Sequence, residues 1–106
     1  MKWKVWVGTN SKYYFSLEDS ERKIVTSSGY NSGHEVIDAI SCVMKYVVRE
    51  KYIERCTTGH DHHFFKICLP NGRRLVVSEL YKEASEMDFD IKRMMMGCVY
   101  DIEFLK

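Results

Sequence analysis

Two segments of this chain carry nearly the same residues in the same order: YYFSLEDSERKIVTSSGYNSGHEVIDAI, beginning at Tyr13, and HFFKICLPNGRRLVVSELYKEASEMDFDI, beginning at His63. An offset of 50 pairs Tyr14 with Phe64, Phe15 with Phe65 and Leu17 with Ile67. An offset of 51 then pairs Arg22 with Arg73, Ile24 with Leu75, Val25 with Val76, Ser27 with Ser78 and Tyr30 with Tyr81. The same frame continues through Glu35 and Glu86, Ile40 and Ile91, and Met44 and Met95. The single-residue adjustment falls between two apolar runs, where a hairpin turn absorbs it. Duplication is a strong constraint: whatever one copy forms must form twice. With 106 residues in all, both copies must share one core.

Each copy opens with strand signals. Phe15 and Leu17 alternate with Tyr14 and Ser16, the period of a half-buried strand. The runs KIVTSS and RLVVSE that follow are rich in β-branched residues. In the second copy Pro70-Asn71-Gly72 is a turn signal, because Asn and Gly tolerate positive φ. The first copy has Asp19-Ser20-Glu21 there and is one residue shorter. Ahead of each hairpin stands another extended candidate, residues 3–7 and 52–56.

Helix signals come next. Ser32-Gly33-His34-Glu35 has the S-x-x-E form of a capping box. Val36, Ile40, Val43, Met44 and Val47 trace one helical face, matched by Met87, Ile91, Met94, Met95 and Cys98. Gly97 reads as a helix stop, and the alternation of Tyr100, Ile102 and Phe104 with Asp101 and Glu103 as a closing strand. A one-striped helix must cover a sheet face, and such short hairpins force antiparallel pairing. The sequence therefore predicts an α+β fold: a mainly antiparallel sheet with two helices on one face, related by an approximate twofold axis. It is expected to be a single domain, 1–106, made of repeats at about 1–51 and 52–106.

The residues Phe15, Leu17, Ile24, Ser27, Tyr30, Ile40 and Val43, with Phe65, Ile67, Asn71, Gly72, Leu75, Ser78, Tyr81 and Ile91, make up a motif that resembles the YegP-like family of small tandem-repeat proteins. The likeness covers about 90 residues. Two features depart from the family pattern: the first copy lacks Asn-Gly, and the Gly that usually precedes the helical Ile is Ala39 in one copy and Asp90 in the other. The resemblance implies two β-β-β-α-β units merged into one sheet with exchanged closing strands. It implies no biochemical activity, since the family has none established.

Composition narrows function by exclusion. Sixteen basic and fifteen acidic side chains leave a net charge of +1, which argues against coating duplex nucleic acid or an anionic membrane. The stretch MKWKVWVGTN lacks the apolar core and small-residue site of a signal peptide, and no run approaches the roughly 18 apolar residues of a membrane span. The expectation is a cytoplasmic chain whose four cysteines, Cys42, Cys56, Cys68 and Cys98, are reduced.

The most polar cluster is Cys56-Thr57-Thr58-Gly59-His60-Asp61-His62-His63. Cys56, His60 and His62 or His63 are zinc-ligand types, but their spacing fits no zinc signature and the first copy has Thr9-Asn10-Ser11-Lys12 there. Histidines on a solvated turn are the preferred reading, so neither metal nor cofactor is expected. Cys98 and the Met94-Met95-Met96 run read as core packing. Tyr30 and Tyr81 read as packing aromatics whose hydroxyls bond backbone, and Asp88 and Asp90 as a solvated helix face. No phosphate loop, nucleophile elbow or H-E-x-x-H is present, so the chain reads as non-enzymatic.

One candidate surface remains. If Phe15, Leu17, Phe65 and Ile67 face the helices, alternation sends Tyr14, Ser16, Phe64 and Lys66 to the open sheet face. Tyr14, Phe64 and Lys66 are the expected binding residues. The expected partner is a second copy or another protein, with single-stranded nucleic acid as the alternative.

Overall fold

In the computed structural model, which describes residues 1–20, 22–96 and 101–105, alternation and helical period sort the chain as their apolar spacing requires. Strands β1 (Lys2–Val7), β2 (Tyr13–Asp19) and β3 (Arg22–Ser27) precede helix α1 (Gly33–Tyr46). A 3-10 turn at Glu50–Tyr52 leads to β4 (Ile53–Thr57), β5 (His63–Cys68) and β6 (Arg74–Ser78), then to α2 (Ala84–Met95) and β7 (Asp101–Phe104). The seven strands form one sheet in the order β4-β5-β6-β3-β2-β1-β7. Every pairing is antiparallel except that of β7 with β1. The expected helix stop at Gly97, together with Cys98 and Tyr100, lies outside the described residues.

Register divides the sheet into two faces. Trp3, Val5, Phe15, Leu17, Val25, Val76, Ile67, Phe65 and Ile53 lie on one side, all buried. The buried stripes of α1 (Val36, Ala39, Ile40, Val43) and of α2 (Met87, Ile91, Met94) join the same core. Each fully buried aliphatic side chain of this kind contributes about 1.5–3 kcal/mol. Met44 does not join it: it is 41% exposed. At about 100° per residue it falls some 80° from Val36, at the stripe's edge, and Ala39 closes the opposite flank instead.

The α1 capping box is formed: Glu35 N–H donates to Ser32 Oγ at 3.2 Å, and Ser32 N–H donates to Glu35 Oε2 at 3.2 Å. Helix α2 has Glu83 at its N-cap, with no side-chain cap bond. At the β5–β6 turn Gly72 takes φ +86°, a region closed to most side chains. At the β2–β3 turn Ser20 takes φ +52°.

Several local features recur 50 or 51 residues apart. Bulges interrupt Leu17/Glu18 and Ile67/Cys68. The backbones of Tyr13 and Tyr30 bridge each other, as do those of His63 and Tyr81. Phe15 N–H donates to Ser27 Oγ at 2.9 Å and Phe65 N–H donates to Ser78 Oγ at 2.9 Å. Each serine hydroxyl in turn donates to the next carbonyl, of Ser28 or Glu79, at 2.8 Å. Phe15 and Phe65 fall in the gap between these isolated bridges and the ladders that begin at Ser16–Thr26 and Lys66–Val77, and the serines supply the acceptors their buried amides need.

Candidate functional site

The second sheet face carries no helix among the described residues, and its side chains follow from the register. One row crosses it as Lys4, Ser16, Thr26, Val77, Lys66 and Glu54; a second holds Trp6 beside Tyr14, and a third Cys56 beside Phe64. Tyr14, Phe64 and Lys66 therefore share this face, on the side opposite Phe15 and Phe65.

The face is paved by ring and cation contacts. Trp6 stacks on Tyr14 at 5.9 Å between centroids, and Lys23 Nζ lies 5.0 Å above the Trp6 ring. Lys66 Nζ lies 5.8 Å from the Phe64 ring. Such contacts add about 0.5–1 kcal/mol where exposed. Tyr14 is seated tightly: a Cβ at Gly8 would come within 2.9 Å of its ring and one at Gly29 within 3.2 Å of its hydroxyl. That hydroxyl also accepts from Asn10 Nδ2 at 2.8 Å. Ser16 is fully buried despite its open-face register, donating to Glu18 at 3.0 Å. Trp6 and Tyr14, stacked on each other, and Phe64, beside Lys66, are each half-buried. The most exposed large apolar side chains lie elsewhere, among them Leu80, Phe89, Met96 and Phe104.

The Cys56–His63 cluster forms the β4–β5 turn. Thr58 N–H donates to the His62 carbonyl at 2.8 Å, and the Thr58 hydroxyl accepts from the amides of His60 and His62. The β1–β2 turn is built alike, with Gly8 N–H donating to the Lys12 carbonyl at 2.8 Å. Among the described residues no three His, Cys, Asp or Glu side chains stand together as a metal set. Burial pushes the Cys68 thiol pKa up, which works against thiolate formation.

Asp90 corrects the sequence expectation. It was expected on a solvated face, yet it is 1% exposed. Arg22 donates to its carboxylate through both terminal nitrogens at 2.9 and 3.3 Å, Tyr81 Oη donates at 2.7 Å, and Arg93 stands 3.5 Å away. The Tyr81 hydroxyl therefore bonds a carboxylate rather than backbone. Burial, then the Asp90 bond and charge, raise the Tyr81 pKa far above the ordinary tyrosine range. Arg93 also donates to Asp19 at 2.7 Å and holds that carboxyl below its usual range. The tip of the β2–β3 hairpin is in this way bolted to α2. Periodicity missed this because Asp90 lies on the buried stripe, where an apolar residue is expected; the partners, 68 and 9 residues away, leave no local signal.

The β5–β6 hairpin meets α1 in the same manner, with different chemistry. A niche of about 220 Å³ there is lined by Tyr30, Glu35, Asp38, Ala39, Cys42, Leu69, Arg73 and Leu75. Residue for residue, 51 positions apart, Arg73 stands for Arg22, Tyr30 for Tyr81, Ala39 for Asp90 and Cys42 for Arg93. Tyr30 and Tyr81 stack on Phe15 and Phe65 at 6.1 and 6.4 Å. A groove of about 370 Å³ runs over the Asp90 junction, between Arg22, Tyr81, Ser85, Glu86 and Phe89.

No family model matches this chain, and no curated protein matches it. Among solved structures, it is similar to the solution structure of a UPF0339 protein from Shewanella oneidensis, with 21% identity over 98% of this chain and 90% of that one and a TM-score of 0.88. It is also similar to the solution structure of yegP from E. coli, a protein of unknown function, with 18% identity over 97% and 90% of the two chains and a TM-score of 0.86. Likeness at this identity establishes a common fold, in agreement with the resemblance in the sequence motif.

Proposed function

We infer that this chain is a YegP-like tandem duplication that acts as a non-enzymatic binding module, engaging a protein partner through the open face of its sheet. The duplication is supported by the matched bulges, tyrosine bridges and serine bonds. It is supported also by the central pairing, where Val25 opposite Ser78 becomes Ser27 opposite Val76 when the halves exchange. A pseudo-twofold axis then passes between Thr26 and Val77, and β7 adds a strand beside the first unit's β1.

The observation that carries the binding reading is the asymmetry of the sheet: one face is covered by two helices, the other holds aromatic rings in register on both halves. An uncovered face that keeps Trp6, Tyr14 and Phe64 half in water is a contact surface in waiting. The non-enzymatic reading rests on how the buried polar groups are engaged. Asp90 accepts from two partners at once, and Tyr81 is held protonated, which leaves neither as a ready acid or base. A protein is favoured over nucleic acid because a net charge of +1 provides little phosphate neutralisation, and a second copy is the occupant to test first. Single-stranded nucleic acid is the second reading, favoured by the Lys23–Trp6 and Lys66–Phe64 pairs, which resemble a base-stacking platform.

Sedimentation of wild type beside Phe64→Ser/Lys66→Glu tests this. Both substitutions sit on half-buried open-face positions and spare the Tyr14 seat. The expected result is a concentration-dependent dimer in wild type and a monomer in the variant. A wild type that stays monomeric to high concentration defeats the self-association reading. Salt-sensitive binding of single-stranded RNA that the variant loses moves the assignment to nucleic acid.

A further inference from the structure

The Asp90 junction shows what the frame formed by a hairpin arginine and a buried tyrosine accepts: a carboxylate, gripped by Arg22 at 2.9 and 3.3 Å and by Tyr81 at 2.7 Å. The matched frame in the other half keeps the arginine and the tyrosine but replaces the carboxylate with the methyl of Ala39. Among the described residues the guanidinium of Arg73, like those of Arg49 and Arg74, has no ion pair, whereas Arg22 has one and Arg55 and Arg93 have two each. Leu69, Leu75, Ala39 and Cys42 supply apolar walls, and Arg73 and Tyr30 the polar end. Glu35 and Asp38 complete the lining, so the niche has apolar walls and a few polar groups at its rim, the usual form of a small-ligand site, here smaller than the roughly 300 Å³ of a drug-sized pocket.

The geometry points to the niche between the β5–β6 hairpin and α1 as a binding site for a free small carboxylate with a short alkyl tail, its head held by Arg73 and Tyr30 where the other half places the side chain of Asp90. The site lies on the helix side of the sheet and is independent of the open-face reading. Its acidic neighbours set the competition. Glu35 is engaged by the amides of Asn31 and Ser32 at 2.7 and 3.2 Å, which leaves Asp38, in the place of Phe89, as the internal rival for Arg73. Burial, opposed by the nearby Arg73 charge, raises the Tyr30 pKa and keeps its hydroxyl a donor.

Butyrate titrated into labelled full-length protein, followed by backbone amide shifts, tests the site. Saturable shifts are expected at Tyr30, Ala39, Leu69 and Arg73, with a dissociation constant of about 1–10 mM for so small a ligand. Arg73→Met, at an exposed position that leaves the core intact, should weaken binding at least about tenfold, the scale of one lost charged contact. Ala39→Asp should abolish binding by supplying the carboxylate internally. Asp38→Asn should preserve or tighten it. Butyramide, the neutral isostere, should not bind. The proposal is overturned by an absence of shifts at 50 mM butyrate (about five times the weakest dissociation constant expected), by equal shifts with butyramide or inorganic phosphate, or by an Arg73→Met variant that binds as wild type does.

Discussion

The two hairpin–helix junctions share a backbone frame and differ in what fills it. At one, Arg22, Tyr81 and Arg93 converge on the buried carboxylate of Asp90. At the other, Arg73 and Tyr30 face Ala39 and Cys42. The difference shows how two matched frames divide their roles. Where the chain seats a carboxylate on the buried helix stripe, the junction becomes an internal clamp; where that position is Ala39, no ion pair holds the arginine, and it remains available to solvent or ligand. The clamp is not a large net source of stability, because burying a carboxylate costs much of what its partners return. Removing one member is another matter, since the rest are left unmatched.

That asymmetry sets the largest expected effect. Asp90→Ala should destabilise the fold by about 2–3 kcal/mol in urea unfolding, below the full figure for a buried pair because Arg22 is half-exposed and regains water. Ala39→Gly, which touches no charge, should cost about 1–2 kcal/mol, the helix-propensity difference together with one buried methyl. Equal losses at the two positions would break the comparison.

The serine bonds form the control, because there the two halves are chemically alike. Ser27→Ala and Ser78→Ala should each cost about 1–2 kcal/mol, leaving the buried amides of Phe15 and Phe65 without an acceptor, and the two values should agree within error. A large difference would mean that the halves are not energetically matched even where their bonds are.

The smallest effect is a pH dependence. Both tyrosines have raised pKa values, Tyr81 more strongly because Asp90 adds to burial. A phenol whose folded pKa lies above its unfolded value, about 10, contributes stability that is complete below pH 10 and is lost as pH rises beyond it. Stability measured between pH 9 and 11 should therefore fall less steeply in Tyr81→Phe than in wild type, with a weaker change of the same sign in Tyr30→Phe. Identical slopes would remove the electrostatic distinction between the junctions.

Most of the architecture was legible because it rests on local periods. Phe15 and Leu17 had to share a face, Val36, Ile40 and Val43 had to share a stripe, and Ser32 with Glu35 had to start a helix; each follows from backbone geometry over a few residues. The open-face placement of Tyr14, Phe64 and Lys66 follows from the same alternation. Three readings, of Met44, of Asp90 and of the Tyr81 hydroxyl that bonds it, failed where a local rule meets the packed structure. Met44 lay within the permissible width of the stripe, and only the packed helix showed which flank is covered. Asp90 looked like a solvated charge because burial of a carboxylate depends on donors that sequence spacing does not reveal.

The amino-acid sequence by itself determined the strands, the helices, the α+β class and the face each strand turns inward, because these are set by alternation and helical period within short windows. Only the tertiary structure decided that the β2–β3 hairpin docks on α2 and the β5–β6 hairpin on α1, so that Arg22 finds Asp90 while Arg73 finds Ala39. The reason is range. A charge pair 68 residues apart exists only once the sheet has brought its members within 3 Å, and until then each residue carries only the preference of its own few neighbours.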